Sequence, residues 1–348
     1  MFIVDAHEDI AHNVLHYDRD VRYPLARIRE LEMARVAAGC CAPGGVPETA
    51  LVSLREHQRG RVGLVFATIF TLPGPQDQMT ADGQAQLAYY HSLAGTDPAA
   101  RLVVSRASLG ALLEDWRSDG DLNSNPVGLV LLLEGADALR TPDELATWHE
   151  QGLRIAGPAW RATKYAGGTR EPGPITAAGR DLLRQMDVLG MTLDTSHLAE
   201  ESFWQALDQF TGPVIASHSN CRALVPGDRH LSDDMIRALA ERDGVIGTVL
   251  ANTFLLANWQ PGDPVTLDTV VRHIDHVCQL SGTARHCAIG SDFDGGFGVE
   301  STPEEFESVA DLARIGDALA RHGYAEDDIT AILGGNWLRF LSTALPPI

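Results

Sequence analysis

The sequence predicts a (β/α)₈ barrel. Three observations carry that expectation. Apolar, β-rich runs recur from end to end, and amphipathic helical patterns fill the intervals between them. Polar residues of metal-ligating type stand where several of those runs end.

The runs cover residues 2–6, 62–70, 127–133, 153–157, 191–194, 213–217, 244–250 and 287–290. Several are continuously apolar, as in Val130-Leu131-Leu132-Leu133. That pattern suits strands covered on both faces rather than half-wet antiparallel ones. Between them, Leu182 to Leu189 reads as a helix that stops at Gly190, a natural C-terminal cap. Ser232-Asp233-Asp234-Met235 opens another, with Ser232 as its N-cap. Two segments rich in Gly and Pro, 38–49 and 165–176, read as loops over the barrel mouth. No linker divides the chain and no repeat recurs, so residues 1–348 are expected to form one barrel domain with loop insertions over its C-terminal mouth. A doubly wound open sheet is the rival architecture, but no G-x-G-x-x-G follows the first run.

Composition narrows the function classes. The 348 residues are 45% hydrophobic, ordinary for a globular protein with a large core. The net charge of −20 argues against nucleic acid as a partner, because phosphate binding needs a basic patch. Five cysteines, none in a C-x-x-C pair, suit reduced thiols and a cytoplasmic location. No run approaches the ~18 apolar residues of a membrane span, and no leader or lipid-anchor signal is evident, so no membrane partner is expected.

The chemistry gathers at the strand ends. His7 and Asp9 close the first run, Glu134 the third, His197 the fifth, His218 the sixth and Asp292 the eighth. In a parallel barrel this edge carries the active site. Imidazoles and carboxylates without a thiolate point to zinc-type divalent metal. Two ions need a bridging carboxylate, and the isolated Glu134 suits that role, with His7 and Asp9 on one ion and His197 and His218 on the other. A water held between two Lewis acids loses its proton near neutral pH. Asp292 would then serve as general acid/base. Each residue also has a plainer reading. His7 or His218 could be a hydrogen-bonded core histidine, Glu134 a helix N-terminal acid, and Asp292 a cap on the turn at Gly295-Gly296. The remaining histidines, His12 and His16 among them, read as packing or surface residues.

At these positions the chain resembles the membrane dipeptidase (renal dipeptidase) family of metallopeptidases, within the amidohydrolase-like barrels. Asp5-Ala6-His7-Glu8-Asp9, Glu134-Gly135-Ala136, Asp194-Thr195-Ser196-His197, Ala216-Ser217-His218-Ser219, Gly290-Ser291-Asp292-Phe293-Asp294-Gly295 and Leu333 to Arg339 are similar to its successive motifs, and the match runs over nearly the whole chain. The resemblance implies a TIM barrel of the metal-dependent hydrolase type holding two zinc ions. It also implies hydrolysis of dipeptides, often with a C-terminal D-residue, and a homodimer. Arg229 would bind the substrate's terminal carboxylate, consistent with the bidentate pairing of guanidinium and carboxylate.

Two departures bear on the substrate. Where the family has a histidine that polarises the scissile carbonyl, this chain has Trp160, whose indole donates one hydrogen bond but carries no charge. Arg161, Lys164 or Tyr165 could stabilise the oxyanion in its place. The Asn-Phe-Tyr-like stretch of the family is also missing near Thr248-Val249-Leu250. A dipeptidase is the leading expectation. An amidohydrolase for N-acyl amino acids, lactams or lactones is the second, and a metal-bearing protein that only binds small ligands is the third.

Overall fold

The computed structural model describes residues 2–38, 48–117 and 124–348. The segment expected to loop over residues 38–49 falls largely outside them. Among the described residues nine strands form one parallel sheet: β1 (Ile3–Glu8), β2 (Val62–Phe70), β3 (Ala100–Leu102), β4 (Val127–Glu134), β5 (Leu153–Gly157), β6 (Thr192–Asp194), β7 (Val214–Ala216), β8 (Val245–Thr248) and β9 (Cys287–Ile289). Eight of them run in the order β1-β2-β4-β5-β6-β7-β8-β9, and β3 pairs beside the start of β4. An isolated parallel bridge joins Glu8 to Phe293, and the Asp292 amide donates to the His7 carbonyl at 3.1 Å. The segment leaving the last strand thus meets the first, which closes the barrel.

Every residue of β1, β2 and β4 is buried, as the continuous apolar runs require. Alternate side chains divide between two cores. Leu64, Phe66, Val130 and Leu132 join Trp337 in one cluster, while Val65, Ala67, Leu131 and Leu133 join the helix residues Leu87, Tyr90 and Trp148 in the other. The period of two therefore separates an inner layer from a helix-facing layer. Helix Asn336–Ala344 lies against the strand starts. Trp337 Nε1 donates to the Ile289 carbonyl at 2.8 Å, and the Asn336 amide nitrogen reaches the carbonyls of Ala284 and Cys287.

The expected caps are present. Helix Ala177–Leu189 starts with the Thr176 hydroxyl accepting from the Gly179 amide and ends at Gly190, whose φ of +64° is the left-handed cap. Ser232 accepts from the Met235 amide at the start of helix Asp233–Glu241. The loop over 165–176 is present as well, pinned by bridges from Gly168 to Glu171 and to Leu198.

Candidate metal centre and active site

Strand β1 brings the first residues in, with one adjustment. Its pairing with β2 shifts between Asp5 and Glu8, so one side has an extra residue there. Glu8 faces outward, where both its carboxylate oxygens meet His57 Nε2 at 2.8–2.9 Å on helix Leu54–Gly60. His7 faces inward. The strand ends at Glu8, and Asp9 occupies the turn just before helix Ile10–Tyr17. Exit from the strand, as well as strand alternation, therefore places Asp9.

Glu134 is the hub. Its Oε2 lies 3.4 Å from His7 Nε2, and its Oε1 lies 3.0 Å from His197 Nε2 and 3.4 Å from His218 Nε2. The two imidazole nitrogens of His197 and His218 stand 3.0 Å apart. His7, Asp9 and Glu134 form one group of converging ligand atoms, and Glu134, His197 and His218 form a second. Asp292 Oδ1 approaches His7 Nε2 at 3.9 Å. All six residues expected from the strand ends are thus brought together.

Two buried atoms of this cluster, His7 Nε2 and Asp9 Oδ1, have no hydrogen-bond partner. Leaving buried polar atoms unpaired costs about 1–3 kcal/mol each. A nitrogen and oxygen donor set with orphaned lone pairs fits divalent cations of the zinc type.

Surrounding hydroxyls fix the rings. Ser217 Oγ donates to Asp194 Oδ2 at 2.5 Å and lies 2.7 Å from His218 Nδ1 and 3.3 Å from His7 Nδ1. One hydroxyl has a single proton, so with that proton on Asp194 it accepts from both imidazoles. Each Nδ1 then carries the hydrogen, and each Nε2 keeps a lone pair aimed at the centre. Thr169 Oγ1 plays the same part for His197 Nδ1 at 3.0 Å. Asp194 also accepts from the Ser196 and Ser217 amides, so it supports the centre without pointing into it.

Electrostatics follow from burial and proximity. Burial lowers His7, yet the carboxylates of Glu134, Asp292 and Asp9 outweigh that and lift it to about 10, so a cation at His7 Nε2 would take the place of a proton. Burial would protonate Glu134, but His7 beside one oxygen and His197 and His218 beside the other hold it well below the usual carboxylate range. Asp292 goes the other way: burial, with Asp9 and Glu134 nearby, pushes its carboxyl well above that range against the pull of His7. Burial and Arg229 bring His197 down to about 4. The acids divide into one that stays ionised and one disposed to carry a proton.

The backbone helps aim these groups. His197, Asp292 and Asp294 have φ of +67°, +61° and +62°, sharp left-handed exits from their strands. A Cβ on Gly295 would collide with the Asp292 carboxylate, so only glycine leaves that acid its place.

The substrate-side residues divide. Arg229 is buried, its Nη2 donating to the His218 carbonyl at 2.7 Å and its Nη1 to Ser219 Oγ at 3.4 Å, with the guanidinium 5.2 Å from the Phe254 ring centre. It is therefore no surface cation. Trp160 packs edge-on to Phe70 at 5.0 Å, and its ring centre lies 6.4 Å from that of His197. Arg161 stacks over Trp160 at 5.3 Å and is exposed. Lys164 and Tyr165 turn away, to Gln76 and to the Leu139 carbonyl. Ser217, Thr169 and Phe70 escaped the sequence reading, since a lone serine, threonine or phenylalanine carries no spacing signal. Only the position of Ser217, one before His218, could have marked it.

Known proteins resemble this arrangement. A family model described as membrane dipeptidase (peptidase family M19) matches residues 1–345. A Klebsiella pneumoniae protein encoded in the pqqA 5′ region is 35% identical over 251 residues, 69% of this chain and 88% of that protein. The crystal structure of a dipeptidase described as a family M19 metallopeptidase superposes with a TM-score of 0.80 at 24% identity, covering 99% of both chains. A Rhodobacter sphaeroides metallopeptidase, solved with a phosphinate mimic of L-Ala-D-Ala, gives 0.78, also at 24% identity and 99% of both. At that identity the structures speak for the fold, whereas the family model spans the chain. This chain belongs to the membrane dipeptidase family of metallopeptidases, hydrolases that cleave the peptide bond of dipeptides.

Proposed function

We propose that the chain is a binuclear, zinc-type dipeptidase whose six strand-end residues form its catalytic centre. One observation carries this reading: Glu134 presents Oε2 to His7 and Oε1 to His197 and His218. A carboxylate divided between two ligand groups is what a pair of cations requires. His7 and Asp9 would hold one ion, His197 and His218 the other, and Glu134 both. When bound, the ions would acidify a water and stabilise negative charge on the scissile carbonyl oxygen.

The chain's own residues do the rest. Asp292 accepts the proton of the attacking water and passes it to the leaving amine, and its raised proton affinity suits that duty. Arg229, buried beside His218, receives the substrate's terminal carboxylate through its guanidinium fork. Trp160 and Phe70 supply an apolar wall next to His197, with Arg161 stacked on its outer side. Dipeptides with a C-terminal D-residue are the substrates to try first, given the ligand of the Rhodobacter sphaeroides structure.

The wall also suits an acyl chain, which favours N-acyl amino acids or lactams as a second substrate class. Elemental analysis together with a panel of L,L- and L,D-dipeptides, N-acyl amino acids and lactams decides between them. At least two equivalents of divalent metal and a dipeptide kcat/KM above that of all the others are expected. Preference for an acylated amino acid or a lactam would overturn the dipeptide assignment, and a metal-free active protein would overturn the centre.

A further inference from the structure

A second cluster of ligating side chains lies outside the barrel centre. His12 and His16 are four apart on helix Ile10–Tyr17 and therefore share a face. Their ring centres are 4.5 Å apart. Opposite them, on helix Gln76–Thr96, Asp82 Oδ1 lies 2.8 Å from His16 Nε2. One nitrogen of each histidine and one Asp82 oxygen all fall within 4.8 Å of one another.

Two further observations mark this as more than a surface ion pair. His12 is 7% exposed, and its Nδ1 has no hydrogen-bond partner. Asp82 is held from behind: Gln86 Nε2 donates to its Oδ2 at 3.2 Å, while Gln86 Oε1 accepts from the Phe70 amide at 3.0 Å. A fully buried glutamine thus fixes the carboxylate and leaves Oδ1 facing the imidazoles, the kind of outer support that ligating carboxylates receive. Burial and His16 keep His12 down to about 4, so at neutral pH the ring is uncharged and offers one nitrogen lone pair.

We propose that His12, His16 and Asp82 form a separate binding site for a late first-row divalent cation such as Zn²⁺, Co²⁺ or Ni²⁺. Two imidazoles and one carboxylate on one side leave the remaining positions to solvent, which His16, at the exposed end, already meets. The bound cation pins helix Ile10–Tyr17 to helix Gln76–Thr96. It does so next to Phe70, whose ring is 5.3 Å from His12 and 5.0 Å from Trp160. The site is thereby linked by packing to the wall of the active centre.

The test counts Co²⁺ bound by the full chain, stripped with chelator and then dialysed against the metal. Wild type should hold one equivalent more than His16→Ala and one more than Asp82→Asn, with dipeptidase kcat/KM of the metal-loaded proteins and melting of the metal-free proteins unchanged. His218→Ala, which damages the barrel centre, should retain the equivalent that His16→Ala loses. The same Co²⁺ count in wild type and both outer variants overturns the proposal. So does a loss in His16→Ala that His218→Ala abolishes too, since the ion would then belong to the barrel centre.

Discussion

At the scale of single residues, the centre works by assigning opposite protonation to neighbouring acids. Glu134 stays ionised because three imidazoles surround it, whereas Asp292 is buried among other carboxylates and takes up a proton readily. Replacing Asp292 by Asn preserves shape and removes the proton carrier. Turnover should fall by roughly 10²–10⁴-fold, with metal content by elemental analysis unchanged, and wild-type rates in this variant would remove Asp292 from the mechanism. Arg229 can be tested through the substrate. Arg229→Met should lower kcat/KM for a free dipeptide by about 10- to 100-fold, the loss of one charge-assisted contact, while leaving the corresponding dipeptide amide almost unaffected. Equal losses on both would show that Arg229 does not read the carboxylate. Sequence made the six strand-end residues legible, because each lies within three residues of the end of an apolar run. Arg229 carried no such mark: it sits in Asp228-Arg229-His230, and only its burial against His218 and Phe254 separates it from an ordinary loop cation.

At the scale of elements, the strand-to-loop exits decide where these groups point. Eight of the nine strands coincide with the apolar runs, although the hydrogen-bonded part is often shorter: 244–250 contains β8 only over Val245–Thr248. Strand β3 was not legible, because Ala100-Arg101-Leu102 is three residues long and partly exposed. Nor was the register shift in β1, since a bulge leaves no trace in hydrophobic alternation. The exit after β9 depends on Gly295. In Gly295→Ala the new methyl would press on the Asp292 carboxylate, so the loop or the acid must move. Turnover should drop toward that of Asp292→Asn, while circular dichroism shows an intact barrel. Wild-type turnover in Gly295→Ala would mean that the loop yields without cost to the acid.

At the scale of the whole molecule, neutral buried histidines couple the fold to acid. His273 Nδ1 accepts from the Cys221 amide, and Nε2 lies 3.1 Å from the Leu255 carbonyl, so a second proton would break the first bond. Burial takes its pKa from 6.5 down to about 4. The unfolded chain therefore binds a proton that the folded chain refuses, and stability rises with pH across that interval. The contribution is complete above about pH 6.5 and is lost as pH falls toward 4, amounting to at most ~3 kcal/mol. Denaturant midpoints of wild type and His273→Gln should converge as the pH is lowered from neutral to about 4.5. An unchanged gap would show that His273 does not titrate between the two states. What the sequence determined by itself was the alternation of strand and helix and the ligand types at the strand ends, because both are written locally in runs and their boundaries. The tertiary structure alone decided that Ser217 serves His7 from 210 positions away and that Thr169 serves His197 from 28. Closing the barrel sets those distances, and no local pattern of side chains encodes which strands will face each other across it.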